Sequence, residues 1–405
     1  MSNIDIKISN ENLLKWSGME DWVNGTSSAP TEHTLSGASA SVAQESTIVK
    51  IGTYSAAVTR SGADATLYHD LDDYENYQGR KVTFGCWVYA TVASRARIGL
   101  SDGVGSGQSS YHSGVAGWEY LEVTDDIDVS AIRLRVEMQV NTGDTTAYFD
   151  NGVLCLGDSS LVVLTNLADF SGRKTSNKYI DQSYTAPRRA GSKTPNVRID
   201  SKSINYDFMV IGATPTAKRT NLDDLQLALN SQNKDVDGNS QVKNLFFYDD
   251  RFYKCYIDNF NPEDIAASRV SKGNVKFNMP DPFEYSNQMY RKSQALSGTT
   301  SFTVTNDGNA ITYPIITVTN SSSNITSVIV ENLTSGQKFT YTGTLVTSTD
   351  LVIDSENLSV KNNGTEDLGN VTNEIDIILV PGDNLFKVTG VVSGTILIDR
   401  FNRWY

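Results

Sequence analysis

Polar and apolar positions alternate with a period of two through most of this 405-residue chain, and Gly, Asn, Asp and Ser punctuate the runs. That rhythm predicts antiparallel sheets. In 131–140 (AIRLRVEMQV), Ile132, Leu134, Val136, Met138 and Val140 fall on one face, and Arg133, Arg135, Glu137 and Gln139 on the other. Likewise Val82, Phe84, Cys86 and Val88 form an inward row, which turns Thr83, Gly85, Trp87 and Tyr89 outward. Ile204, Tyr206, Phe208 and Val210 alternate in another strand. The single clear helical pattern is 221–231, where Thr220 can cap and Leu222, Leu225 and Leu229 recur at helical spacing. After it, 245–249 and 252–257 flank an acidic turn at Asp249 and Asp250 and read as an aromatic-rich hairpin.

Charge divides the chain into three. Residues 1–158 hold 10 Lys/Arg against 21 Asp/Glu, 159–300 hold 19 against 15, and 301–405 hold 5 against 11. These steps coincide with two polar connectors, 157–160 (GDSS) and 291–300 (RKSQALSGTT). Domains are therefore expected at 1–158, 159–295 and 296–405. A net charge of −13 repels phosphate backbones and anionic membrane surfaces, which argues against nucleic-acid binding as the main role. No run approaches the ~18–20 apolar residues needed to cross a bilayer, and the start MSNIDIKISNENLL lacks the pattern of an export signal.

Catalytic chemistry is poorly supplied. Cys86, Cys155 and Cys255 have no paired spacing, and His33, His69 and His112 have no metal-ligand spacing. The acidic doublets Asp72/Asp73, Asp125/Asp126, Asp223/Asp224 and Asp249/Asp250 are sequence neighbours, whose side chains on a strand point to opposite faces. None of them is an acid/base pair across a cleft. No enzyme is expected.

Sugar recognition needs an aromatic plate and planar polar side chains on a rigid sheet. The order of strands from NLL and GMEDW through YQGRKVTFGCWVYA, GWEYLEV and AIRLRVEMQV to TAYFDNGVLCLG resembles the jelly-roll carbohydrate-binding modules found beside xylanases and glucanases. The resemblance implies that Trp87, Tyr89, Arg133, Arg135, Glu137 and Gln139 share one concave face, joined by Arg95 and Arg97 from the next strand. It also implies a structural calcium away from that face, at Glu20, the backbone around Gly52, and Asp150; no other cofactor is required. Trp22 and Trp118, both beside turns, are expected to close the ends of the sandwich.

From Lys178 onward the chain runs through NKYIDQSYTAPRRAGSKTPNVRID, the helix, the hairpin FFYDDRFYKCYIDNF and the closing strand GNVKFNMPDPFEY. This resembles the ring-forming domain of the distal tail proteins of long-tailed bacteriophages. The ordered markers are Arg188, Arg189 and Gly191, then the helix, then Tyr253 and Lys254, then Pro280, Pro282 and Tyr285. The stretches NDGNAITYPIITVTN, ENLTSGQKFTYTG, LVIDSENLSV and PGDNLFKVTG are similar to the galectin-like sandwich that follows the ring domain in that family. In compact members the ring domain opens the chain, whereas here a module of ~160 residues is read as preceding it.

The resemblance implies a hexameric ring in the virion tail tip, assembled in the host bacterial cytoplasm, that joins the tail tube protein to the tail-tip or baseplate hub protein. Phe247 and Tyr253, on a hairpin read as exposed, are the expected oligomer interface. A host cell-wall saccharide is the expected ligand of the first module. The alternatives are a non-enzymatic adhesin, a docking module for other tail-tip proteins, or an accessory of a glycoside hydrolase.

Overall fold

The computed structural model describes residues 5–157, 162–165, 179–181, 197–229, 242–248, 250–263 and 269–405. These residues form two compact units, Met1–Glu284 and Tyr285–Tyr405. The expected fold class holds: the chain is mainly β, with one α-helix among the described residues.

In the first unit the strands are β1 (Asp5–Asn10), β2 (Thr34–Ser36), β3 (Ser41–Glu45), β4 (Ser55–Arg60), β5 (Ala65–Asp70) and β6 (Lys81–Ala90). They continue as β7 (Ala96–Ser101), β8 (Ser106–Gln108), β9 (Gly117–Asp126), β10 (Arg135–Val140), β11 (Thr145–Leu156) and β12 (Val162–Thr165). Ten of these make a sandwich: one sheet in the order β2-β5-β10-β7-β8, called front below, and one in the order β3-β4-β11-β6-β9, called back. Val82, Phe84, Cys86 and Val88 from the back sheet meet Leu134, Val136, Met138 and Val140 from the front sheet in one core. Both inward rows are thus where alternation put them, except that Ile132 precedes β10 and is 67% exposed. Trp22 does close the sandwich, buried with its indole N–H on the Met19 carbonyl at 2.6 Å.

Strand β1 is not part of that sandwich. It pairs antiparallel with β12, with Ile8 opposite Val162, and on its other edge with β16 (Lys243–Tyr248), with Ile8 opposite Leu245. The expected 1–158 domain is corrected accordingly. The sandwich does not precede the second sheet but is inserted into it, between two neighbouring antiparallel strands. The chain leaves and returns side by side, because Asn10 donates to the Leu156 carbonyl at 2.6 Å and the Asn12 side chain bonds both the Gly152 carbonyl and the Leu154 N–H. Adjacent ends are what permits an insertion without opening its host.

The second sheet continues after the backbone pair β13 (Tyr179–Asp181) and β14 (Val197–Ile199), with β15 (Lys202–Ile211), β17 (Arg251–Glu263) and β18 (Val270–Met279), in the order β12-β1-β16-β17-β18-β15. Ile204, Tyr206, Phe208 and Val210 are all buried, as alternation requires. The helix α1 (Pro215–Ala228) starts six residues before the expected stretch. Thr214, not Thr220, is the cap, its hydroxyl accepting from the Ala217 N–H at 3.1 Å. Pro215 at the first helical position, which needs no N–H there, is the signal that fixes this start. Arg188, Arg189, Gly191 and Asp249 lie outside the described residues.

In the second unit the 19-residue strand Gly382–Arg400 is the spine. It pairs with Tyr290–Asn306, Ile315–Asn320 and Val328–Asn332. Phe302 and Phe386 stack across it at 5.8 Å, within a core that includes Val318, Phe339, Ile353 and Ile396. The stretch 291–300, expected as a connector, runs inside the strand Tyr290–Asn306. Its polar residues are the alternate positions of a paired strand, and Arg291 bonds both oxygens of Asp399 at 2.7 and 2.9 Å.

Candidate functional site

The outer face of the front sheet is built by register. One row across it is Asp70, Arg135 and Ser101; the next is Tyr68, Glu137 and Gly99; the third is Thr66, Gln139 and Arg97. Their side chains form a connected polar lattice. Arg97 donates to Gln139 Oε1 at 2.9 Å, and Gln139 donates in turn to Glu137 Oε2 at 2.6 Å. Arg135 grips Asp70 through two bonds of 2.6 and 2.7 Å, the bidentate geometry that makes such pairs strong. That hydrogen bond holds the Asp70 carboxyl below its ordinary range.

Two tyrosines complete the face. The Arg135 guanidinium lies 3.6 Å from the centre of the Tyr68 ring, and that of Arg97 lies 4.7 Å from the centre of Tyr111. Between these two units the floor is Gly99, where a Cβ would stand 3.2 Å from the Gly107 carbonyl oxygen. Any larger residue would push into the Gln139 and Glu137 ends, both 3.4 Å from that position. The arrangement offers planar donors and acceptors between two phenol rings, the chemistry that hydrogen-bonds sugar hydroxyls and packs against pyranose C–H faces.

The eight residues expected on one face are divided by the structure. Arg97, Arg135, Glu137 and Gln139 are together, and Arg133 reaches the same face through its bond to Ser101 Oγ at 3.0 Å. Arg95 is at the far end of β7, held by the Thr142 hydroxyl at 2.9 Å. Trp87 and Tyr89 are on the back sheet, so the expectation that they join the arginines is corrected. Alternation gave their direction, outward, but not their sheet. Tyr68, to which the sequence reading assigns no role, could have been found: in ATLYHD it is the outward residue that follows the inward Leu67.

On the back sheet, Trp87 pairs in register with Tyr120, and Tyr89 with both Trp118 and Tyr148. The rings meet edge to face, at 5.2 Å and 60° for Trp87–Tyr120 and 5.7 Å and 63° for Tyr89–Trp118. Trp118 is therefore a half-buried cross-strand partner and not an end plug. The Lys50 ammonium covers Trp87 at 4.0 Å.

Glu20 and Asp150 each hold part of the 50–54 backbone, which contains Gly52. Asp150 Oδ2 accepts the backbone N–H groups of Lys50 and Ile51 at 2.8 and 3.0 Å, and Glu20 Oε1 those of Thr53 and Tyr54 at 2.6 and 3.0 Å. Gly52 sits between them with φ +85°, and a Cβ there would lie 2.1 Å from Glu20 Oε1. Burial pushes the Asp150 carboxyl up to about 7, with the Glu20 charge adding to the shift, and burial also raises Glu20. Asp150 Oδ1 is buried with no hydrogen-bond partner. Two partly desolvated carboxylates with an unmatched oxygen fit a hard cation with oxygen ligands.

Phe247 and Tyr253, expected at an oligomer edge, are 5% and 3% exposed. Both pack in the core of the second sheet with Leu245, Cys255 and Phe277. The hairpin read as exposed has its aromatic face covered by its own fold, so neither ring is presented to a neighbouring copy.

No curated protein sequence matches the chain significantly. Among solved structures, the chain is similar to the Dit protein of phage SPP1, with 16% identity, TM-score 0.46, and 58% of this chain and 92% of that one covered. It is also similar to a chain of the phage P2 baseplate in its activated conformation, with 6% identity, TM-score 0.32, and 60% and 94% covered. The CBM22-1 xylan-binding domain from Paenibacillus barcinonensis Xyn10C is similar at 12% identity, TM-score 0.30, with 38% and 98% covered. Residues 307–402 match the family of siphovirus-type tail components over their C-terminal domain. Within the C-terminal sandwich the chain is thus similar to the C-terminal domain of siphovirus-type tail components, and the tail resemblance read from the sequence holds there.

Proposed function

We propose that this chain is a distal tail hub protein of a bacteriophage, forming a hexameric ring in the virion tail tip between the tail tube protein and the tip or baseplate hub protein. Its inserted sandwich binds saccharide of the host cell wall through the front face. The role is structural and adhesive, with no catalysis assigned. The match over residues 307–402 supports the tail assignment. The observation that carries the saccharide reading is the Arg97–Gln139–Glu137 lattice framed by Tyr68 and Tyr111. Six copies around an axis would convert weak single contacts into avidity.

Calcium fits this reading as a structural ion. Glu20 and Asp150 would hold it, through the oxygens their backbone bonds leave over, and it would supply the positive charge that two partly desolvated carboxylates lack.

The test is a glycan array probed with the full chain, with light scattering on the same sample. A hexamer that binds a polysaccharide and loses it on Arg97→Ala or Glu137→Gln supports the proposal. A hexamer blind to every glycan removes the saccharide half and favours a docking module for other tail-tip proteins. A monomer that binds glycan removes the ring half and favours a free adhesin.

A further inference from the structure

Two of the three histidines in the chain, 36 residues apart, come together at the front sheet's edge. The ring centres of His33 and His69 are 5.4 Å apart with planes at 41°. His33 follows a turn closed by its own N–H on the Pro30 carbonyl at 3.0 Å, and His69 is on β5. Both residues are half-buried.

The hydrogen bonds define the tautomers. His33 Nδ1 faces the Thr31 carbonyl at 2.9 Å, and His69 Nδ1 faces the Glu32 carbonyl at 2.6 Å. A carbonyl can only accept, so both Nδ1 atoms carry the proton and both Nε2 atoms keep their lone pairs. The intervening Glu32 is in the left-handed region with φ 63°, a conformation that costs a side-chain-bearing residue about 1 kcal/mol. It is this twist that presents successive carbonyls, of Thr31 and Glu32, to two different imidazoles. An Nδ1–H held by a carbonyl is the usual outer partner of an imidazole that ligates metal through Nε2.

With a metal–nitrogen distance of about 2.1 Å and a tetrahedral angle, two Nε2-ligating rings have centres about 5.3 Å apart. The observed 5.4 Å leaves room for such a bridge. We propose that His33 and His69 form a two-histidine site for a borderline divalent transition ion, of the zinc, nickel or copper type. Among the described residues no third histidine, cysteine or carboxylate joins them, so water fills the other positions and the ion is exchangeable. Neutral imidazole selects these ions over calcium and magnesium, which prefer oxygen. The bound ion ties the 30–33 turn to β5, beside the Tyr68 and Asp70 end of the front face. The remaining histidine, His112, is 1% exposed with Nε2 on the Gly117 carbonyl, and it cannot substitute for either ligand.

The experiment uses the tag-free full chain, titrated with Cu2+ and read by electron paramagnetic resonance, and with Zn2+ by calorimetry. One Cu2+ per chain with two equivalent nitrogen couplings, and a Zn2+ affinity at least tenfold lower in His33→Gln and in His69→Gln, is the expected result. Glutamine keeps a donor for each carbonyl, and circular dichroism of the variants reports their fold. The wild-type spectrum needs no variant at all. A single-nitrogen or all-oxygen copper spectrum overturns the site, as does displacement of Zn2+ by equimolar Ca2+.

Discussion

Asn10 donates its side-chain amide to the main-chain carbonyl of Leu156 at 2.6 Å and accepts from the Lys243 ammonium across the β1–β16 pair. One residue thus bonds the last strand of the inserted sandwich and a strand of the sheet that hosts it. Lys243 is 1% exposed, and burial lowers its pKa to about 8. Asn10→Leu is expected to destabilise the first unit by about 1–3 kcal/mol, since it withdraws partners from buried polar groups. Urea denaturation checks the size, and limited proteolysis near residue 157 checks that the loosening is at the junction.

Phe247→Asp is expected to unfold the second sheet and not to release folded monomers. Phe247 is 5% exposed and meets Tyr253 edge to face at 6.1 Å. An aspartate there loses an aromatic core residue and buries an unpaired charge, together more than about 4 kcal/mol. Near-ultraviolet circular dichroism separates the outcomes, because a folded, dissociated variant would keep the native spectrum.

Thr214→Ala should cost about 1 kcal/mol through loss of the cap on α1, and Thr220→Ala much less. The Thr214 hydroxyl meets the Ala217 N–H, whereas Thr220 only bonds back to the Thr216 carbonyl at 3.3 Å within the helix. Thermal melts of the two variants against the parent decide this.

The pH dependence has two opposing parts. The Asp150 carboxyl rises from 3.8 to about 7 on folding, so between these values the folded state holds a proton that the unfolded state releases. Its contribution is therefore lost as pH rises through about 7, by a few kcal/mol. Burial, with His69 nearby, lowers His33 from 6.5 to about 4, which has the other sign: stability is lost as pH falls from 6.5 to about 4. In chelator, Asp150→Asn should therefore melt with less loss between pH 5 and 7 than the parent, and His33→Gln with less loss between 6.5 and 4. Calcium should raise the parent's melting temperature at pH 7 and leave that of Asp150→Asn unchanged.

On the front face, Tyr68→Ala and Arg97→Ala should each weaken saccharide binding at least tenfold, while Trp87→Ala leaves it within twofold. Trp87 is on the opposite sheet, edge to face with Tyr120 and beneath Lys50. Glycan-binding titrations of the three variants measure this.

Direction along a strand is local, and it was legible throughout. A period of two needs only adjacent residues, so the inward rows Val82–Phe84–Cys86–Val88 and Ile204–Tyr206–Phe208–Val210 are buried as read. The β class, the pairing of 245–248 with 251–253 and the tail resemblance of the last hundred residues were all available in the sequence. Exposure of the hairpin was not, because what covers Phe247 comes from elsewhere in the chain.

Sheet membership is the property that only the tertiary structure decided. It placed Trp87 away from Arg97, ten residues on, and brought His33 to His69 and Asn10 to Leu156. The physical reason is that a strand's own residues determine which side chains turn inward, whereas its neighbours are chosen by packing and hydrogen bonding among segments far apart in the chain. The inserted sandwich follows from the same rule: six residues at β1 carry an ordinary strand pattern, and only their pairing with Val162–Thr165 and Lys243–Tyr248 reveals which sheet they open.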